Sequence, residues 1–301
     1  MLSATIGVAM TPEELEEAFV RIGAVQWDEE SARRFHHRME LLEANGLGGV
    51  LHQFGRGASR GDFLGRVFEV NLGALLLEAG LQPRHAVKQW PPKDIDYAVQ
   101  LAGHEVNIEL KRLGRHANDE ERIRRQVAGE PIEAQEDDGR TIESDIGRVQ
   151  RDIFDKAAKF NPKIPAGAVN LVAVDVCELV GGMMDVGDCL CAAGGLPLAA
   201  KHYRDPFPNP VGVFEEFDPV GLGESQRRWV EAFHQPVPGV PHPKGVLHGV
   251  WFLFRDPPQR IHLGYDLHGC LVWNPRLAGA IPARDIGAAL QTVVPFVNTR
   301  P

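Results

Sequence analysis

The chain has few cysteines, no long apolar run and no excess of positive charge, and each shortage removes a class of protein. Cys177, Cys189, Cys191 and Cys270 are the only cysteines in 301 residues, too few and too irregularly spaced for a disulfide framework. One residue separates Cys189 from Cys191, which is not the spacing of a structural zinc site, and no second pair accompanies them. The 12 histidines include His36-His37 but no HExxH pattern. No stretch approaches the roughly 18 apolar residues of a membrane span. The N-terminus lacks a basic region followed by an apolar run, so the expectation is a cytoplasmic protein with reduced thiols and no membrane partner. A formal charge of −9 argues against coating nucleic acid through bulk electrostatics. Recognition of nucleic acid would need a local basic surface. Arginine, at 24 residues against 8 lysines, suits phosphate contact through its planar fork, although base composition of a genome produces the same bias.

What is present centres on residues 61–112. The run DFLGRVFEVNLGALLLEA, 62–79, is helix-forming throughout, and Gly80 supplies the stop. Glu69 has Gly65 and Gly73 four residues to either side and Leu72 and Leu76 on the following turn, so a charge stands on an apolar, close-packing face. Residues 86–112 then alternate with period two. Ile95, Tyr97, Val99 and Leu101 share one strand face, and Val106, Ile108 and Leu110 share a face of the next. With Ala102-Gly103 as a two-residue turn, cross-strand partners sum to 205. That register sets Asp96 opposite Glu109 and Asp94 opposite Lys111, with Cβ atoms roughly 4.5–5.5 Å apart. Two facing carboxylates repel, so the pair calls for a cation, and a divalent metal is the natural candidate.

Asp96, thirteen residues, then Glu109-Leu110-Lys111, preceded by a helix bearing Gly65-Arg66-Val67-Phe68-Glu69, resembles the PD-(D/E)XK nuclease superfamily. The helix glutamate and the Glu-Leu-Lys strand are most similar to Mrr-type restriction nucleases and archaeal Holliday-junction resolvases. The similarity covers residues 61–112 and, more loosely, a helix and strand to about Val176; the proline of the family name is replaced by Ile95. The resemblance implies an αβββαβ core and Mg²⁺-dependent phosphodiester hydrolysis, with Mn²⁺ able to substitute. It makes Asp96 and Glu109 metal ligands, Lys111 the residue that positions or activates the attacking water, and Glu69 an outer carboxylate.

The rest of the chain frames that stretch. Thr11-Pro12-Glu13-Glu14 is a helix start, and a second helix is expected from an Asp28 cap to about Ala44. This lead-in, residues 1–60, either binds a partner or covers the core. The glycine-rich segment 46–61, with Arg56 and Arg60, is either a phosphate-contacting loop at a helix N-terminus or a connector. Residues 113–140 segregate charge: Arg115, Arg122, Arg124 and Arg125, with Arg112 just before them, precede an acidic run. They form either a solvated insertion or one that meets phosphates. A helix over 142–160 with a buried stripe from Ile146 to Ala157, and a nearly continuous apolar strand over 168–176, complete the αβ half. Gln150 either reaches the site or faces solvent. Residues 181–245 read as an irregular insertion with one short helix at 224–233. Three short strands, 246–256, 260–266 and 270–275, and a helix at 283–293 follow.

The expected architecture is therefore an α/β (α+β) protein: a helical segment over 1–60, then a restriction-endonuclease-like core over 61–301 with insertions at 113–140 and 181–245 and a β-rich C-terminal part. The expected function is Mg²⁺-dependent cleavage of DNA. The alternatives are RNA cleavage by the same site, or a catalytically inactive protein of this fold that binds nucleic acid or a protein; a homodimer or a protein partner is open under each reading.

Overall fold

The computed structural model describes residues 11–21, 28–53, 59–90, 93–114, 125, 142–177, 185–195, 210–218, 220–234, 241–256 and 263–296. Helix α1 (Pro12–Arg21) opens on a reciprocal cap in which the Glu14 N–H donates to Thr11 Oγ1 and the Thr11 N–H to Glu14 Oε2. Helix α2 (Glu29–Ala44) is capped by Asp28 and ends at Gly46, whose φ of 75° a residue with a side chain rarely adopts. A 3₁₀ segment (Gly48–Gln53) leads to α3 (Arg60–Glu78), capped by Ser59 and closed by Gly80 at φ 77°.

Strands β1 (Arg84–Trp90), β2 (Lys93–Leu101) and β3 (His104–Arg112) form an antiparallel meander. Helix α4 (Ile142–Ala157) carries the chain to β4 (Ala168–Asp175), which pairs in parallel with β3 and is buried along its whole length. The segment between β4 and β5 contains α5 (Val186–Gly194), α6 (Glu224–Phe233) and a single turn, α7 (Pro243–Val246). Strand β5 (Gly249–Asp256) adds in parallel to β4, and β6 (Asp266–Trp273) adds antiparallel to β5. The chain then forms the short α8 (Pro275–Ala278) and α9 (Ala283–Val293). The result is a mixed α/β fold on one open six-stranded sheet in the order β1-β2-β3-β4-β5-β6.

Each sheet face has its own core. One gathers α1, α2, α3 and α9 around Tyr97, Ile108, Leu171 and Trp251; the other packs the α4 stripe Ile146, Val149, Ile153 and Ala157, with α5, over Val172, Val174 and Phe252. Gly73 lets α3 sit close on the sheet, because a Cβ there would overlap the Tyr97 hydroxyl, which donates to the Glu69 carbonyl at 2.9 Å. Gly65 makes no such approach.

The structure corrects or extends the sequence reading in four places. Ile95 packs in the α4-side core although Tyr97, Val99 and Leu101 face α3. The segment 263–265 is not a strand; Asn71 Nδ2 donates to the Leu263 carbonyl and Arg38 to the Tyr265 carbonyl, so buried side chains take its backbone acceptors. The β-rich C-terminal part supplies β5 and β6, which extend the central sheet beyond the four strands of the expected αβββαβ core. Finally, the 181–245 stretch contains α5, which starts on an Asp185–Asp188 capping box.

Candidate active site on the α4 face

The β2–β3 hairpin brings the candidate residues together. Ala102 and Gly103 adopt φ of 48° and 77°, the pair of positive angles that a type I′ turn requires. The partners Tyr97–Ile108 through Leu101–His104 each sum to 205, as the turn dictates. The pairing ends at Tyr97. One residue earlier the Asp96 carboxylate takes the place of a backbone acceptor, with Oδ2 receiving the Leu110 N–H at 2.7 Å. Opposite, on β1, Ala86 has φ 50°, and the β1–β2 register passes from His85–Tyr97 to Val87–Ile95 without an Ala86–Asp96 pair. Strand β2 turns over at Asp96, which explains the change of face at Ile95.

Glu109 points from β3 to the α4 side, since Ile108 and Leu110 on either side of it belong to the α3-side core. It is fully buried. Its Oε1 is held by the ammonium groups of Lys156, in the last turn of α4, and of Lys159 at 2.6 Å. Its Oε2 is buried with no hydrogen-bond partner. Burial, then the neighbouring Asp96 charge, push the Glu109 carboxyl up to about 7 against the pull of the two lysines. Burial works to lower Lys159, but the Glu109 charge wins and holds that ammonium above its ordinary value.

Lys111 shares this face and pairs with Asp152 of α4 at 2.6 Å, its side chain 31% exposed. Asp94 does not meet Lys111; it is exposed and stands in register with Lys88 of β1. Gln150 is neither at the site nor in solvent. It is buried, donating to the Ala192 and Val211 carbonyls and accepting from Trp229 Nε1 and His234.

Glu69 lies on the other side of the sheet. Its carboxylate, 5% exposed, pairs with Arg66 at 2.5 Å and with His85 Nε2 at 2.7 Å. Burial alone would raise its pKa, but His85 and Arg66 overcome it and leave the carboxyl below its usual value. Glu69 and Glu109 share no ion-pair partner: the cations of Glu69 are Arg66 and His85, those of Glu109 are Lys156 and Lys159.

Of the arginines, Arg60 begins α3 and Arg112 ends β3, where its charge helps to lower the buried Asp175 carboxyl beneath the larger effect of Arg255. Arg125 is exposed. Arg56, Arg115, Arg122 and Arg124 lie outside the described residues.

Lys156 and Lys159 were missed by the sequence reading. A signal existed: Lys156 stands seven residues after Val149 and three after Ile153, so it extends the apolar stripe of α4 with a charge. A charge in line with a buried stripe calls for a partner on the sheet.

Among the described residues no group of three or more His, Cys, Asp or Glu is arranged to hold a metal ion. Mg²⁺ does not ask for one, since it commonly takes one or two carboxylates and completes its shell with water and phosphate oxygens. Asp96 and the unpartnered Oε2 of Glu109 fit that demand. Compared with family models, curated proteins and solved structures, the chain matches none.

Proposed function

We propose that the chain is a nuclease of the PD-(D/E)XK kind that hydrolyses DNA phosphodiester bonds with Mg²⁺. The observation that carries the reading is the orphaned, fully buried Oε2 of Glu109 beside Asp96. An ionisable oxygen left without a donor costs stability unless something else uses it. The order α3-β1-β2-β3-α4-β4 adds support, because it is the αβββαβ sequence that the resemblance implies.

Asp96 and Glu109 would hold the metal, which when bound polarises the scissile phosphate and lowers the pKa of a coordinated water. Asp96 is oriented for this by the Leu110 N–H, which fixes one of its oxygens. Lys111 stands two residues beyond Glu109 on the same face, where its ammonium orients the attacking water and balances the charge that develops on the phosphate. Glu69 supports the α3 side of the sheet and takes no part in the chemistry. Arg60 and Arg112, with Arg56, Arg115, Arg122, Arg124 and Arg125, supply the phosphate contacts.

A second reading is favoured by one observation. Lys156 and Lys159 already neutralise Glu109, and Asp152 neutralises Lys111, as in a protein of this fold that has kept the residues as an ion-pair network. Incubating purified protein with plasmid DNA and with RNA, each with Mg²⁺, Mn²⁺ or neither, separates the readings. The nuclease nicks DNA only with metal. Cleavage confined to RNA moves the substrate class. No cleavage and no Mn²⁺ binding leaves the binding-module reading.

A further inference from the structure

We propose that Lys156 and Lys159 form a cation latch on this site: they hold Glu109 while no metal is bound and leave it when a divalent cation arrives. The inference rests on the nuclease reading and adds two residues to it. Both ammoniums contact the same oxygen, Oε1, and leave Oε2 unpaired. Two single positive charges therefore stand on the oxygen next to the one a doubly charged ion would take, and a divalent cation in reach of Glu109 Oε2 and Asp96 repels them both.

The surrounding structure allows the exchange from one side only. Glu109 is fully buried on β3 and cannot swing out, whereas the Lys156 and Lys159 side chains are 22% and 35% exposed and have a path to solvent. The turn that carries them is fixed independently of Glu109. The Lys159 N–H donates to the Lys156 carbonyl at 3.0 Å, Phe160 is buried, and Lys93 of β2 donates to the Ala158 carbonyl at 2.6 Å. The latch thus opens by side-chain rotation while the backbone stays in place. Once released, both ammoniums stand at the mouth of the site, where a phosphodiester would lie.

The test is amine acylation of the wild-type protein with and without saturating Mg²⁺, read residue by residue by mass spectrometry, beside calorimetric titration of Mg²⁺ and Mn²⁺. Labelling of Lys156 and Lys159 should rise several-fold with Mg²⁺ while the exposed Lys163 stays constant. In Glu109→Gln both lysines should label freely without metal and ignore its addition. The wild-type comparison stands even where that variant fails to fold. Metal binding with unchanged labelling of Lys156 and Lys159 overturns the latch and leaves the metal site standing. An equal rise at Lys163 also overturns it, as general loosening. Absence of any Mg²⁺ or Mn²⁺ binding removes the latch and the metal reading together.

Discussion

Glu69 and Glu109 are both buried carboxylates, on opposite faces of one sheet, and the protein treats them differently. On the α3 face Glu69 spends its two oxygens on two partners, Arg66 at Oε2 and His85 at Oε1, and its pKa falls despite burial. On the α4 face Glu109 crowds two lysines onto one oxygen, leaves the other bare, faces the Asp96 charge and has its pKa raised to about 7. Burial is common to both, so burial does not mark a site. The distinguishing feature is incomplete satisfaction, because a group that only supports structure is normally fully hydrogen-bonded.

The largest effect expected from this contrast is on cleavage. Asp96→Ala and Lys111→Ala should each reduce Mg²⁺-dependent nicking of plasmid DNA by about a hundredfold or more. They should part on metal affinity: Asp96→Ala weakens Mn²⁺ binding, while Lys111→Ala removes a like charge and leaves it equal or tighter. Glu69→Gln should bind Mn²⁺ like the wild type. Loss of Mn²⁺ binding in Glu69→Gln would dissolve the contrast and return Glu69 to the site.

Stability gives the next effect, with opposite signs for the two carboxylates. Glu109 has a folded pKa above its unfolded value, so its contribution to stability declines as pH rises from about 4.5 to about 7 and its penalty is complete above that. A difference of about 2.5 pKa units corresponds to about 3 kcal/mol. Glu109→Gln should therefore be stabilised by up to that amount at about pH 8 and unchanged near pH 4, since Lys156 and Lys159 can turn to solvent. Glu69 has a lowered folded pKa, so its contribution is present above its unfolded pKa and lost as pH falls through the folded one. Glu69→Gln should cost about 1–3 kcal/mol at neutral pH by stranding His85 and Arg66. Urea unfolding of both variants at the two pH values checks the crossing, and parallel behaviour would refute it.

These residues also show what could be read in the chain and what could not. Alternation and the Ala102-Gly103 turn are local, and they sufficed for the hairpin register and for placing Glu109 and Lys111 on one face. The reversal at Asp96 depends on a side chain outcompeting the backbone for the Leu110 N–H, which no periodicity encodes. Lys156 and Lys159 reach Glu109 only through the α4 crossover, 47 and 50 residues away in sequence. Glu69 had the sequence marks of a site, a charge between small and apolar neighbours. Arg66, three residues earlier on the same helix, answers them locally, whereas the His85 partner becomes visible only after β1 has packed beside α3.

An opposite pH effect comes from imidazoles. His234, His242 and His248 are pushed down to about 3, 4 and 4, each first by burial and then by neighbouring charge from His242 and Lys244, from Lys244, and from His104 respectively. They are neutral in the fold and take up protons on unfolding below about pH 6.5. Stability should therefore fall as pH drops from about 6.5 toward 4, by about 1.4 kcal/mol per pH unit for each net proton. In this window three histidines oppose the single Glu109. His234→Gln, which keeps a donor for the Gln150 oxygen, should make the slope shallower by about one proton. An unchanged slope would show that His234 is not protonated on unfolding.

The smallest effect tests the hairpin without touching either carboxylate. Ala102 is exposed and held at φ 48°, a left-handed conformation that disfavours a Cβ unless a short polar side chain can bond locally. Asparagine tolerates that region and, with Gly103, makes the preferred type I′ pair. Ala102→Asn should raise stability by about 0.5–1 kcal/mol. The turn lies six residues from Asp96 along β2, about 20 Å at strand rise, so Mn²⁺ binding should not change. If Mn²⁺ binding weakened while stability rose, the turn would be setting the geometry at Asp96. The reversal of β2 would then depend on hairpin register rather than on the local competition of the Asp96 carboxylate for the Leu110 N–H. Unchanged binding with the expected gain assigns that reversal, and the separation of the two faces that follows from it, to Asp96 itself.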